Sequence, residues 1–158
     1  MRIPYLIGLI LTKEKKCLSS YNVHFDPGEM EELNALSPFN LKKDLKELSG
    51  ESIESISEEI AHELIQGLNR PPTVVVRYWG NQNIAAWVKI KTIDLERNAG
   101  KSNGYRCILL VDTLNKHAFL LHIYRHGHGE DKEISRKSEN KLKTLVDEYS
   151  KALKETQK

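Results

Sequence analysis

The first half of the chain carries apolar residues at the spacing of helices. Two dipeptides, Asp26–Pro27 and Ser37–Pro38, have the form of an N-cap followed by the first helical residue. They predict one helix through about Leu36 and another that ends at Gly50, after a short alternating strand, "SYNVHF". The clearest helical stripe follows and consists of Ile53, Ile56, Ile60, Leu64, Ile65 and Leu68.

From Thr73 onward the period of the apolar pattern changes to two. The segments "TVVVRYW", "GNQN" and "IAAWVKIKTI" predict a hairpin. In its second arm Trp87, Lys89 and Lys91 share one face, because alternate residues of a strand point to the same side. The segments "KSNGYRCILLVD" and "HAFLLHIYRH" predict two more strands, and "ISRKSENKLKTLVDEYSKALKE" predicts a last amphipathic helix.

These elements predict one α+β domain over residues 1–158. We expect an N-terminal extension (1–20), a strand plus helices (21–70), an antiparallel sheet (71–128) and a C-terminal helix (132–156). The apolar run Tyr5–Leu11 is too short to span a bilayer and is followed by charges without a small-residue cleavage site. It is predicted to be a buried or edge strand, so neither a membrane segment nor a signal peptide is expected.

Composition narrows the class of protein further. Hydrophobic residues make up 39% and charged residues 29% of the chain, which is typical of a soluble globular protein. The two cysteines, Cys17 and Cys107, are too few for a disulfide framework, so a reducing, cytoplasmic setting is expected. Neither the histidines nor the cysteines have a metal-ligand spacing, and "NAGKSNG" lacks the setting of a phosphate-binding loop, so no metal and no cofactor is predicted.

Charge is unevenly distributed along the chain. Residues 26–70 contain 11 acidic and 4 basic residues, a balance of −7, whereas residues 71–128 contain 8 basic and 3 acidic residues, a balance of +5. The basic segment indicates a surface for a polyanion. For the acidic segment, the solvated faces of ordinary helices are an equally natural interpretation.

The last two predicted strands place an arginine among apolar residues. If Thr113 lies opposite His117, across a three-residue loop, one face of the hairpin is wholly apolar: Cys107, Leu109, Val111, Phe119, Leu121 and Ile123. The other face then gathers polar groups at its open end: Arg106, His122, Tyr124 and His126. A guanidinium can bind phosphate and a tyrosine can stack on a base, which indicates a site. A solvated face with Arg106 in a surface ion pair is the alternative.

The segments "GKSNGYRCILLVD" and "AFLLHIYRHGHGEDKEIS", with the last amphipathic helix, resemble the RelE group of bacterial toxin-antitoxin toxins. The resemblance extends from about Trp87 to Leu153. It implies a fold in which a strand and two helices pack with a curved antiparallel sheet and a C-terminal helix. It also implies an mRNA endoribonuclease that inhibits translation, in which the 2′-hydroxyl of the RNA attacks the scissile phosphate without a metal.

The resemblance assigns roles to several residues. Arg106 matches the arginine of the family's Gly-Tyr-Arg stretch and would hold the scissile phosphate. Lys89 and Lys91 match a Lys-x-Lys strand and would polarise the 2′-hydroxyl or neutralise charge, while Arg125 or His126 would supply the basic residue at the end of the next strand, with His126 suited to be the general acid. RNA binding is assigned to four further residues: Lys101, His122, Tyr124 and His128. For His122 and Tyr124 this assignment rests on the strand register alone.

The resemblance also implies partners: a separately encoded antitoxin protein, and mRNA, free or on the ribosome. The segment "GEDKEISRKS" lacks the late tyrosine of some family members and carries Glu130, Asp131 and Glu133, which would repel RNA. Two alternatives therefore stay open. One is a ParE-like toxin that binds DNA gyrase, and the other is a catalytically inactive interaction domain of the same fold.

Overall fold

The computed structural model describes residues 20–68, 73–94, 104–125 and 134–156. The predicted strand in Tyr5–Leu11 lies outside these ranges. Within them the chain forms five strands and four helices, in the order β1 (Asn22–His24), α1 (Glu31–Leu36), α2 (Leu41–Leu45), α3 (Gly50–Ile65), β2 (Val74–Trp79), β3 (Ala85–Thr92), β4 (Tyr105–Asp112), β5 (His117–Arg125) and α4 (Arg136–Thr156).

The strands form one mixed sheet in the order β1-β5-β4-β3-β2. Strands β2 to β5 pair with their neighbours in antiparallel fashion, as the alternating pattern predicts. Strand β1 pairs with β5 in parallel, with Asn22 opposite His117. The chain is therefore α+β as predicted, but its first strand joins the sheet as an edge strand instead of packing against it. Parallel pairing is possible here because a long connection separates the two strands.

Two helix boundaries differ from the prediction because short polar side chains bond to nearby backbone. The Asp26 carboxylate accepts a hydrogen bond from the backbone N–H of Gly28 at 2.9 Å, so a turn forms there and α1 begins only at Glu31. The Ser49 hydroxyl accepts from the N–H of Ser52 and caps α3. Gly50 is therefore the first residue of α3, and it does not end the preceding helix.

Helix α3 buries most of its predicted stripe. Ile56, Ile60 and Leu64 are buried, and the helix contacts β1 and β3. Ile65, in contrast, is 53% exposed. It follows the buried Leu64 directly, and successive residues of a helix point about 100° apart, so the side chain of Ile65 faces solvent.

The C-terminal helix α4 packs on the face of the sheet that carries Asp112. The ring of Tyr149 lies 5.8 Å from that of Phe119, and its hydroxyl donates a 2.8 Å hydrogen bond to the Asp112 carboxylate. Every residue of β4 is buried, so elements cover both faces of the sheet at its centre. At the β2–β3 turn the helix approaches so closely that a Cβ on Gly80 would lie 2.5 Å from the Ser150 hydroxyl oxygen.

The turn between β4 and β5 is organised by the buried carboxylate of Asp112. Besides the Tyr149 bond, this carboxylate accepts hydrogen bonds from the backbone N–H groups of Leu114 and Asn115 and from the Asn115 side chain. The strands consequently separate after Asp112, which lies opposite His117, so the turn has four residues. The predicted pairing of Thr113 with His117 is wrong at this end, because alternation alone does not show a side chain that bonds to its own turn.

The Tyr149 hydroxyl should make stability fall in alkaline solution. Burial, together with the neighbouring Asp112 carboxylate, raises the pKa of Tyr149 well above 10.0. The unfolded chain loses this proton near pH 10 while the folded chain keeps it, so the contribution is complete below pH 10 and is lost as pH rises. Above about pH 10 we expect this group to lower the free energy of unfolding of the parent by about 1.4 kcal/mol per pH unit. The Tyr149→Phe variant lacks the hydroxyl, so its free energy of unfolding should fall less steeply with pH by that amount. Urea unfolding at about pH 9 and pH 11 measures this; equal slopes would contradict it.

Candidate functional site

A β-bulge in β5 decides which side chains share the face of Arg106. Leu120 lies opposite Leu109 but His122 lies opposite Ile108, so Leu121 is an extra residue in β5. With the register of the turn continued, His122 would be opposite Cys107, on the other face of the sheet. The bulge therefore moves His122 and the residues after it onto the face of Arg106.

The bulge also corrects the predicted apolar face of the hairpin. Phe119 lies opposite Leu110, on the Arg106 face, where it contacts Tyr149 of α4. Ala118 and Leu120 take the positions predicted for Phe119 and Leu121, opposite Val111 and Leu109. The two one-residue differences, at the turn and at the bulge, cancel toward the open end of the hairpin. The predicted grouping of Arg106 with His122 and Tyr124 is therefore confirmed.

Cross-strand pairing arranges the predicted residues in two adjacent rows. One row runs from Lys91 through Arg106 to Tyr124, and the next runs from Lys89 through Ile108 to His122. Directly opposed residues in such pairs have Cβ atoms about 5 Å apart. We call the five polar members the basic face: Lys89, Lys91, Arg106, His122 and Tyr124.

Exposure differs sharply across the basic face. Arg106 is 2% exposed and Lys89 is 7% exposed, so both lie within the fold. Lys91 and Tyr124 are partly exposed, and 24% of the His122 side chain is accessible. The accessible groups therefore form a rim around the buried arginine, and the expectation of a surface ion pair for Arg106 does not fit its burial.

His122 is held by two residues that the sequence pattern does not connect with it. The Asp44 carboxylate lies 2.7 Å from His122 Nδ1 and also accepts a 3.3 Å bond from the backbone N–H of Ile123. The ring of Phe39 stacks on the imidazole, with 4.3 Å between ring centroids and planes only 2° apart. Asn40 caps α2, the helix that carries Asp44, through the N–H of Lys43. The position and plane of the imidazole are thus fixed from α2 and the residues before it.

Arg125 lies apart from the basic face. It pairs with Tyr105, on the face of Cys107, and its guanidinium donates to the buried Asp94 carboxylate at 2.9 Å and to the Tyr105 hydroxyl at 3.1 Å. Burial by itself lowers the pKa of Arg125, but the bonds to Tyr105 and Asp94 outweigh it and raise the pKa above the ordinary value of an arginine. Of the pair Arg125 or His126 that the resemblance proposes, Arg125 has a structural partner on the other side of the sheet.

Replacing Arg125 should therefore change stability more than any function of the basic face. We expect Arg125→Gln to lower the free energy of unfolding by about 1–3 kcal/mol, because the Asp94 carboxylate loses a charged donor while it remains buried. Urea unfolding measures this change. The conservative Arg125→Lys, which retains the positive charge, should lose less. Equal stability of Arg125→Gln and the parent would contradict a structural role for this bond.

Three other predicted residues, Lys101, His126 and His128, lie outside the described residues, so their roles stay predictions. Among the described residues no group of histidine, cysteine and carboxylate side chains could hold a metal ion. Burial raises the pKa of the Cys107 thiol to about 12, which keeps it protonated and unreactive at neutral pH. The chemistry available in the described part of the basic face is thus that of amines, a guanidinium, an imidazole and a phenol.

Comparisons with protein-family models, with curated protein sequences and with solved structures found no match to this chain. None of the four helices that the structure describes combines the length and apolar composition needed to cross a bilayer.

Proposed function

We propose that this chain is a RelE-like toxin that inhibits translation by cleaving mRNA, and that a separately encoded antitoxin protein holds it inactive in the cytoplasm. The observation that carries the proposal is the cross-strand row of Lys91, Arg106 and Tyr124. It brings two cations and an aromatic ring together on one face, which suits a phosphate group and a neighbouring base.

The order of the elements also supports the proposal. Among the described residues, one strand and three helices, one helix more than the resemblance implies, precede β2 to β5, which are joined in antiparallel fashion, and α4 follows. A strand, helices, an antiparallel sheet and a last helix are the order that the RelE resemblance implies. The residues that carry the resemblance, Lys89, Lys91 and Arg106, lie on one face of this sheet.

The proposed reaction needs no metal. The 2′-hydroxyl oxygen attacks the adjacent phosphorus, the bond from phosphorus to the 5′-oxygen breaks, and the products carry a 2′,3′-cyclic phosphate and a 5′-hydroxyl. The 2′-hydroxyl proton must leave and a proton must reach the 5′-oxygen, while negative charge grows on the phosphate oxygens. Arg106 and Lys91 would stabilise that charge, with Lys89 adding to the positive potential from the adjacent row.

Burial of Arg106 sets a condition on this reaction. Because the guanidinium is 2% exposed, the side chains at the rim must move before a phosphate can contact it. The same burial favours a second candidate function, a catalytically inactive interaction domain of this fold, in which Lys89 and Arg106 support the sheet from within. The two candidates differ in whether the chain damages RNA.

Induced expression in a bacterial host separates these functions. For an mRNA endoribonuclease we expect growth arrest in which incorporation of labelled amino acids stops first and DNA synthesis continues. Co-expression of a cognate antitoxin should restore growth. Early arrest of DNA synthesis would instead indicate a gyrase-binding toxin, and unimpaired growth with abundant folded protein would indicate the interaction domain.

A further inference from the structure

We propose that His122 is the general base of the RNA cleavage, taking the proton from the 2′-hydroxyl, and that Asp44 is its positioning residue. This inference rests on the proposed function. It starts from the short contact of 2.7 Å between the Asp44 carboxylate and His122 Nδ1. Residue spacing gives no indication of this pair, because its members are 78 positions apart in the sequence.

The contact fixes the tautomer of the imidazole. An ionised carboxylate can only accept hydrogen bonds, so the proton of a neutral His122 ring resides on Nδ1. The lone pair is then on Nε2, the atom on the opposite side of the ring from Asp44. Within the described residues, Nε2 of His122 makes no hydrogen bond, and the side chain is 24% exposed. The ring therefore presents a proton acceptor at the rim of the basic face.

The ring is also held in one orientation. Phe39 covers one face of the imidazole in parallel stacking, and the bulge at Leu121 directs His122 to the side of Arg106. Such bulges commonly re-aim a side chain next to a site. A base that is fixed before the substrate arrives needs less reorganisation in the reaction than a mobile one.

The position of His122 suits a nucleotide that is bound at Arg106. The two residues are diagonal neighbours across β4 and β5, and such neighbours lie about 7–8 Å apart, with their Cβ atoms somewhat closer. One nucleotide can thus place its phosphate toward Arg106 and its ribose toward His122. After proton uptake the imidazolium faces the Asp44 carboxylate, which stabilises it.

Other charged and titratable groups that share the His122 face are few among the described residues. On the sheet they are Tyr124, whose ring centroid lies 5.1 Å away, Lys89 and Lys91 on β3, and Arg106 and Asp112 on β4. From the helices packed on this face, Asp44 of α2 and Tyr149 of α4 are added. A neutral ring is the form that a general base requires.

The test measures the cleavage rate of a message in a reconstituted bacterial translation system across pH, using the full chain. We expect His122→Gln to lower the rate about 10²–10³-fold and to remove the rise of rate with pH on the acid side of the profile. Asp44→Asn should lower the rate roughly tenfold or more and move that rise to lower pH, because the imidazolium loses its carboxylate. The matched control is Asp147→Asn, which removes a carboxylate bonded to Tyr78 on the edge strand β2, separated from β5 by two strands, and should leave the profile unchanged.

Each outcome supports or overturns the assignment of His122 as the general base. A parent that cleaves, with a His122→Gln variant within threefold of its rate, overturns the base assignment and leaves the proposed function intact. A folded parent that does not cleave overturns both. If His122→Gln does not fold, the near-isosteric Asp44→Asn carries the test. A shift of the acid side of the pH profile supports the pairing of Asp44 with a catalytic His122, and an unshifted profile overturns it.

Discussion

Replacing Arg106 with glutamine should lower the rate of message cleavage about 10²–10³-fold, the effect of removing a preorganised group that stabilises charge in a transition state. Arg106 is the centre of the row that joins Lys91 and Tyr124, and it is the one cation there that can bind two phosphate oxygens at once. Arg106→Lys should recover only part of the rate, because an ammonium group lacks the planar fork.

A matched control separates this effect from a general change in charge. Arg77 is an exposed residue of the edge strand β2, so Arg77→Gln changes the net charge equally and should leave cleavage unaffected. Because Arg106 is buried, thermal unfolding of each variant is measured as well. If a folded Arg106→Gln variant cleaves the message at the rate of the parent, Arg106 is not part of the proposed site.

Replacing Asp112 with alanine should lower the free energy of unfolding by about 3–4 kcal/mol. The buried carboxylate accepts from two backbone N–H groups, the Asn115 amide and the Tyr149 hydroxyl, and these donors would lose their acceptor, three of them at buried positions. Each donor left unsatisfied contributes about 1–3 kcal/mol, reduced where the turn can relax into water. Since 1 kcal/mol corresponds to about 2–4 °C in a domain of this size, Tm should fall by roughly 6–16 °C.

The matched control for Asp112 is Asp26, which also caps a turn. Asp26 is exposed and accepts one bond, from the N–H of Gly28, so Asp26→Ala should cost at most about 1 kcal/mol. Urea unfolding monitored by circular dichroism measures both variants. Similar losses for the two variants would show that the carboxylate of Asp112 does not join β4, β5 and α4 in the way described.

The alternation of apolar residues was sufficient to predict β1 to β5 and the polar residues that share one face of the sheet. In β3 the period of two places Lys89 and Lys91 together, and the structure confirms this. Register was harder, because Asp112 bonds to its own turn and Leu121 is an extra residue in its strand. Neither feature alters the apolar pattern, so the prediction placed Thr113 opposite His117. The grouping of Arg106 with His122 was nevertheless correct, because the two differences cancel.

The partners of the site residues could not be predicted in the same way. Asp44 reaches His122 through the packing of α2 on β5, and Asp94 reaches Arg125 through a bond between chain segments 31 residues apart. Such pairs depend on which helices and strands pack together, and a single sequence does not show this. The sequence shows only that Asp44 is an acidic residue in a short helix. The parallel pairing of β1 with β5 has the same origin.

The most direct test of the central proposal is to map the ends of a message that is translated in the presence of the purified chain. The proposal predicts new fragments that end in a 2′,3′-cyclic phosphate and begin with a 5′-hydroxyl, and it predicts their near absence with Arg106→Gln. An intact message in the presence of folded parent protein would contradict the proposal, as would fragments that Arg106→Gln produces at the parental rate.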